Sequence, residues 1–310
     1  MSQTIENKAL TRQDVVDAYK ALLGRHPENE AVVSSILKAV PGPFELALAI
    51  VRSSEFQLGS RRFEKNLVIP EKLILVGTHH KSGTVWLGDV FVAIARGMGM
   101  RFLNAKAGHS GKDIDILFQV DSAFNLRILQ DYRGIHIIRD PRDIIISGAF
   151  YHGSTKSESW LLEKDEKFRN LSYQEKIKSI QNLEYQFIFE MENRGGRTIR
   201  EMASWNYQNK NIKELRYELL IRDKSLKCFT EIFQFLGFEG LSLAFCLECA
   251  WYKSIFSGHV DKNNTHVRSG QPRQWEKYFS KDLANEFLRQ FGDVLIKLGY
   301  EKDDEWARKL

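Results

Sequence analysis

One run of residues narrows the architecture more than any other: KLILVGTHHKSGTVWLGDVFVAIARGMG, from Lys72 to Gly99. Its first part, Lys72–His79, is short and apolar without a helical period, which predicts a buried strand. Beyond Ser82, apolar side chains at Val85, Trp86, Val90, Phe91 and Ile94 fall at helical spacing. A strand, a glycine-bearing turn and a helix start together present several backbone N–H groups to one point, where an anion binds. Gly77 and Gly83 allow the tight path, and Ser82 and Thr84 can add hydroxyl donors. The Walker pattern puts lysine directly after the second glycine, followed by Ser or Thr. Here Lys81 precedes Gly83 by two positions, and the loop holds no Gly-Lys pair. The stretch therefore predicts a phosphate-ester site that is not built for a triphosphate; the plainer alternative is a surface turn.

The remaining pattern predicts further strands at Asp115–Asp121 (DILFQVD) and Gly134–Asp140 (GIHIIRD), the second leading into a helix near Pro141. Ser172 with Glu175 opens a long helix that Gly195–Gly196 ends, and Glu214–Leu220 (ELRYELL) is the last candidate strand. Helices follow around 224–237, 240–252 and 281–298. Such alternation predicts an α/β fold, a P-loop-containing parallel sheet with helices on both faces. The first sixty or so residues differ. Thr11 with Asp14 makes a capping-box start, and Val15, Tyr19, Leu22 and Leu23 recur at helical spacing before Gly24 and Pro27. Further helical runs cover 29–40 and 44–53. This predicts a small all-helical module over 1–65, followed by the main domain over 66–310. The words YKALLGRHP and RSSEF resemble a phycobilisome-linker-like module, which implies positioning or a protein partner and no catalysis.

A formal net charge of +5 is enough to favour anionic ligands and too mild for nucleic acid. The first residues lack an apolar core and no apolar run is long enough for a membrane span, so the expectation is a cytoplasmic protein. The three cysteines, Cys228, Cys246 and Cys249, make no disulfide framework, and CLEC lacks a second ligand pair, so it reads as core.

Two more stretches add to the loop. In IRDPRDIIISGAFYH, Arg139 leaves a strand and Ser147 follows eight residues on, so both can close on one phosphate. The alternative is that Arg139, Asp140, Arg142 and Asp143 pair as surface charges. In HVRSGQPRQWEKYF, Arg268 sits in a Gly- and Pro-containing loop. Together these stretches resemble the PAPS-dependent sulfotransferases (PAPS is 3′-phosphoadenylyl sulfate, and PAP the nucleotide it leaves). The family's KSGTxW loop is matched by Lys81, Ser82, Gly83, Thr84, Val85 and Trp86. Its Arg and Ser eight apart are matched by Arg139 and Ser147, and its late RKG loop by Arg268, Ser269 and Gly270, with Ser in place of Lys. Its YED-L segment appears as RYELL, giving Tyr217.

The resemblance implies PAPS as co-substrate, no metal, and Lys81 at the oxygen bridging the 5′-phosphate and the sulfuryl group. Trp86 and Tyr217 would line the adenine pocket; Arg139, Ser147 and Arg268 would hold the 3′-phosphate. The match fails at the base. Where the family carries a histidine in a THLP-like segment, this chain reads LFQVDSAFNL. By position Asp121 or Ser122 fills the slot, and Asp121 is the expected base, although it could equally cap a helix at Ala123. His79, His80 and His109 are its rivals, and His152 reads as packing or capping. The aromatic residues between Tyr151 and Asn211 (Trp160, Tyr173, Tyr185, Phe187, Phe189 and Trp205) are expected to wall an acceptor pocket. The acceptor would be a hydroxyl or amine of a glycan, lipid or small molecule, and the bacterial-type module points to a glycan, glycolipid or secondary-metabolite hydroxyl. A P-loop kinase, or a PAP-binding protein without turnover, are the competing readings.

Overall fold

The structure is a computed structural model that describes residues 10–53, 55–56, 67–105, 111–155, 158–257 and 271–310. Three helices come first: α1 (Arg12–Leu23), α2 (Glu30–Ala39) and α3 (Pro43–Arg52). Thr11 caps α1 through the reciprocal Thr11–Asp14 box, and Val15, Val33, Leu46, Ile50 and Phe56 close a small core among them.

The main sheet uses β1 (Leu73–Thr78), β2 (Phe102–Asn104), β3 (Ile116–Val120), β4 (Tyr132–Ile138) and β7 (Ile212–Arg216). Their order is β2-β3-β1-β4-β7, with every pairing parallel. A minor antiparallel pair, β5 (Lys164–Asp165) and β6 (Leu171–Ser172), lies apart from it. Alternate residues of β1 enter different cores. Ile74 and Val76 join α4 (Thr84–Met98), α10 (Lys227–Leu236) and α11 (Gly240–Tyr252), whereas Leu75 packs with Leu117 and Leu129. Both faces are thus covered, as a parallel sheet requires. Cys246 and Cys249 are buried in the α4-side core, where burial pushes the Cys249 thiol up to about 12.

From β1 the chain leaves to one side of the sheet, towards β2 and β3, and from β4 to the other, towards β7. The carboxyl ends of β1 and β4 therefore flank a topological switch point, where open α/β sheets bind ligands.

Two expectations change. The helix opened by Ser172 and Glu175 does have that capping box, but it ends at Ser179 as α6 (Tyr173–Ser179). It is followed by α7 (Leu183–Glu192) and α8 (Arg194–Ser204), and Gly195–Gly196 lies inside α8. Those glycines permit close packing: a Cβ on Gly195 would stand 2.7 Å from Ile145 Cδ1, and one on Gly196 1.7 Å from the Met191 carbonyl oxygen. The last strand also stops early. Tyr217 begins a short helix, α9 (Tyr217–Leu220), because Glu218 turns back to accept the Asp140 N–H at 2.8 Å.

The helix after β4, α5 (Pro141–Ser154), is joined to the C-terminal helices α12 (Trp275–Tyr278), α13 (Lys281–Phe291), α14 (Val294–Lys297) and α15 (Glu305–Arg308) by one buried arginine. Arg142 donates to both Asp140 oxygens at 3.0 and 2.8 Å, reaches Glu301 at 2.7 Å, and lies 3.6 Å from the Trp275 ring centre. The Arg139–Asp143 cluster is therefore interior, not a set of surface pairs. Arg142→Ala leaves Asp140 buried without its partner, so chemical denaturation should show a loss of about 3–5 kcal/mol. An unchanged midpoint would contradict this role.

Candidate functional site

The turn after β1 closes on itself. The His79 N–H donates to Ser82 Oγ at 2.8 Å, and that hydroxyl donates to the His79 carbonyl at 2.7 Å. Thr84 Oγ1 lies 2.9 Å from the same carbonyl and 3.0 Å from Thr78 Oγ1. Both hydroxyls expected to face an anion are thus engaged within the loop. The backbone at the helix start is less committed, since no side chain caps α4. Lys81 and Gly83 take left-handed φ values of 63° and 96°. At Gly83 this is also a packing need, because a Cβ would stand 3.2 Å from the Tyr217 ring.

Arg139, emerging from β4, interlocks with this turn. Its Nη1 donates to the Lys81 carbonyl at 2.9 Å, its guanidinium sits 4.6 Å from the Tyr217 ring centre, and Nη2 lies 3.7 Å from Asp143. Its Nε is buried without a hydrogen-bond partner among the described residues. Ser147, half-buried, follows Asp143 by four residues on α5, about 6 Å along the same face. Asp143 also accepts the N–H groups of Arg273 and Trp275 at 2.8 and 3.0 Å, which ties the returning chain to the start of α5. Arg268, Ser269 and Gly270 lie outside the described residues, as does His109.

Trp86 is half-buried, its ring edge-on to Phe229 at 5.6 Å and its indole nitrogen buried without a partner; Val85 is exposed. The Lys81 ammonium lies over the Tyr151 ring, 3.5 Å from its centre. Asp121 and Ser122 end β3 with successive left-handed φ values of 70° and 51°. No helix starts at Ala123. Ser122 donates to the Thr78 carbonyl, and both Asp121 oxygens accept from Arg194 Nη2 at 2.9 and 3.1 Å.

The histidines form two chains that no spacing rule foretold. His79 Nε2 lies 2.8 Å from His136 Nε2, and His136 Nδ1 lies 2.5 Å from Glu214. Trp205 stacks on His136 and donates to the other Glu214 oxygen. His80 Nε2 lies 2.9 Å from His152 Nε2, and His152 Nδ1 lies 2.8 Å from Glu190. Tyr173 donates to that same Glu190 oxygen at 2.9 Å. Burial, followed by the neighbouring histidine and then Arg194, holds both His79 and His80 well below the usual histidine range. Both are therefore neutral near pH 7. One sequence clue to the first chain existed: His136 is a polar residue inside an apolar strand. The partners Glu190, Arg194 and Glu214 come from distant helices and a distant strand, so nothing local marked them.

Of the aromatic residues expected to wall a pocket, Tyr173, Phe187 and Phe189 are core residues beside α5, while Tyr185 is exposed. Tyr173 of α6 and Phe187 and Phe189 of α7 serve the packing of those helices against α5. Trp160 lies edge-on to His152. Among the described residues no group of carboxylates, histidines and cysteines is placed to hold a metal ion, and no helix is long and apolar enough to cross a membrane.

No family model matches the chain, and no curated protein matches it. Among solved structures it is similar to mouse sulfotransferase SULT7A1 complexed with PAP, at 19% identity and a TM-score of 0.52, over 83% of this chain and 95% of that one. It is also similar to retinol dehydratase in a complex with retinol and PAP, at 15% identity and a TM-score of 0.45, over 76% and 86% of the two chains. The first likeness shows that the chain has the sulfotransferase fold.

Proposed function

Taking that fold as the premise, we propose that the chain transfers a sulfuryl group from PAPS to an acceptor hydroxyl or amine and releases PAP. The observation that carries this reading is the Arg139–Lys81 interlock at the sheet's switch point. A guanidinium and a lysine-bearing loop meet there, and a donor with two anionic ends needs both.

In this reading the N–H groups of the turn and of the α4 start take the 5′-phosphate. Lys81 stabilises the charge that develops on the bridging oxygen as the S–O bond breaks. Arg139 and Ser147, with Arg268 from the late loop, hold the 3′-phosphate, and Tyr217 with Trp86 borders the adenine. Sulfuryl transfer is loose and in-line, so positioning and electrostatics carry it. The SULT7A1 structure is described as complexed with PAP, which agrees with the same co-substrate here. The acceptor would be a glycan, lipid or small-molecule hydroxyl, and residues 1–65 an interaction or positioning module.

A second reading, a PAP-binding protein without turnover, draws on one observation: the Asp121 carboxylate is already held by Arg194. Incubation with PAPS and a mixture of phenolic, aliphatic and sugar alcohols separates the two. PAP release that rises with the acceptors supports transfer, whereas PAP binding without release supports the second reading.

A further inference from the structure

Resting on the sulfuryl-transfer reading, we infer that His80 takes the acceptor's proton at its Nδ1, with its tautomer fixed by His152 and Glu190. The wiring couples the two tautomers. A carboxylate can only accept, so Glu190 takes the Nδ1–H of His152 at 2.8 Å. In the tautomer we infer, the His152 lone pair sits on Nε2 and His80 Nε2, 2.9 Å away, is the donor. That leaves the lone pair of His80 on Nδ1. This atom makes no hydrogen bond among the described residues, and His80 is partly exposed.

His79 has the same wiring through His136 and Glu214, yet its Nδ1 is buried without a partner and its backbone closes the turn. It holds the loop. His80 instead adjoins Lys81, and both border the Tyr151 ring, with the ammonium 3.5 Å and the imidazole 6.3 Å from its centre. The inferred proton acceptor and the proposed leaving-group cation thus border the same ring. The charges around His80 are Lys81, Arg194 with its partner Asp121, and Glu190 behind His152. Asp121 is the weaker candidate because both of its oxygens are engaged by Arg194.

The step balances. The acceptor O–H bond breaks and its proton goes to His80 Nδ1, while the acceptor oxygen bonds to sulfur. The bond from sulfur to the bridging oxygen breaks, and its electron pair stays on PAP beside Lys81. His80 is the catalytic residue; His152 and Glu190 are positioning residues.

Nitrogen-15 NMR of the histidine rings, together with PAP calorimetry and PAP formation from PAPS with 2-naphthol, 1-pentanol and N-acetylglucosamine, tests this. In the wild type, His80 is expected with its proton on Nε2, and Glu190→Gln should move part of the population to Nδ1. His80→Asn should cut PAP formation about 100-fold or more while PAP affinity stays within about threefold. A wild-type His80 protonated on Nδ1, or a His80→Asn variant that turns over normally, overturns the inference. A wild type that does not bind PAP overturns the sulfuryl-transfer reading, while the ring spectra still decide the His80–His152–Glu190 wiring separately.

Discussion

Lys81→Ala is expected to slow sulfuryl transfer by about two to three orders of magnitude and to leave PAP affinity nearly unchanged. The reason is where the ammonium sits and when it acts. Lys81 leaves a left-handed backbone position in the turn and reaches towards Tyr151. In the proposed transfer its charge matters most when the bridging oxygen acquires its own, so its loss should fall on the transition state more than on the bound ground state. Removal of one preorganised stabiliser of a developing oxyanion costs about 10²–10³ in kcat. Single-turnover kinetics with PAPS, paired with PAP calorimetry, measures both halves. Undiminished PAP formation would show that the lysine faces something else.

Arg139→Ala should have the opposite signature, with the loss falling on binding. This side chain is 7% exposed, and it bonds the Lys81 carbonyl, lies against Tyr217 and approaches Asp143. Truncating a buried, hydrogen-bonded charge typically costs about 2–5 kcal/mol, roughly 30- to several-thousand-fold in Kd. Lysine should not rescue it, since a point charge cannot meet a carbonyl, a ring and a phosphate together. Calorimetry with PAP checks the loss, and thermal melting separates it from unfolding. Wild-type affinity in a folded Arg139→Ala protein would remove this residue from the 3′-phosphate site.

The fold was legible where the signal is local. The strand–turn–helix from Leu73 to Met98 could be read because an apolar run, two glycines and a helical stripe are written in adjacent residues. The first helix was legible from its cap at Thr11. The short edge strand Phe102–Asn104 was not, because three residues carry no period. Gly195–Gly196 misled because glycine marks both a helix end and a close helix approach, and only the neighbouring Met191 and Ile145 decide which. At the site, Arg139 and Lys81 could be picked from motifs, but their bond could not, since 58 residues separate them. The histidine chains were hidden for the same reason: His80 meets a partner 72 residues on, and Glu190 is a further 38 away.

Calorimetry of PAP against AMP, which lacks the 3′-phosphate, tests most directly the proposed recognition of both ends of one nucleotide beside Arg139 and Lys81. PAP should bind at least about 100-fold more tightly than AMP if Arg139 meets the extra phosphate as proposed. Equal affinity for the two, or no heat from either, would contradict it.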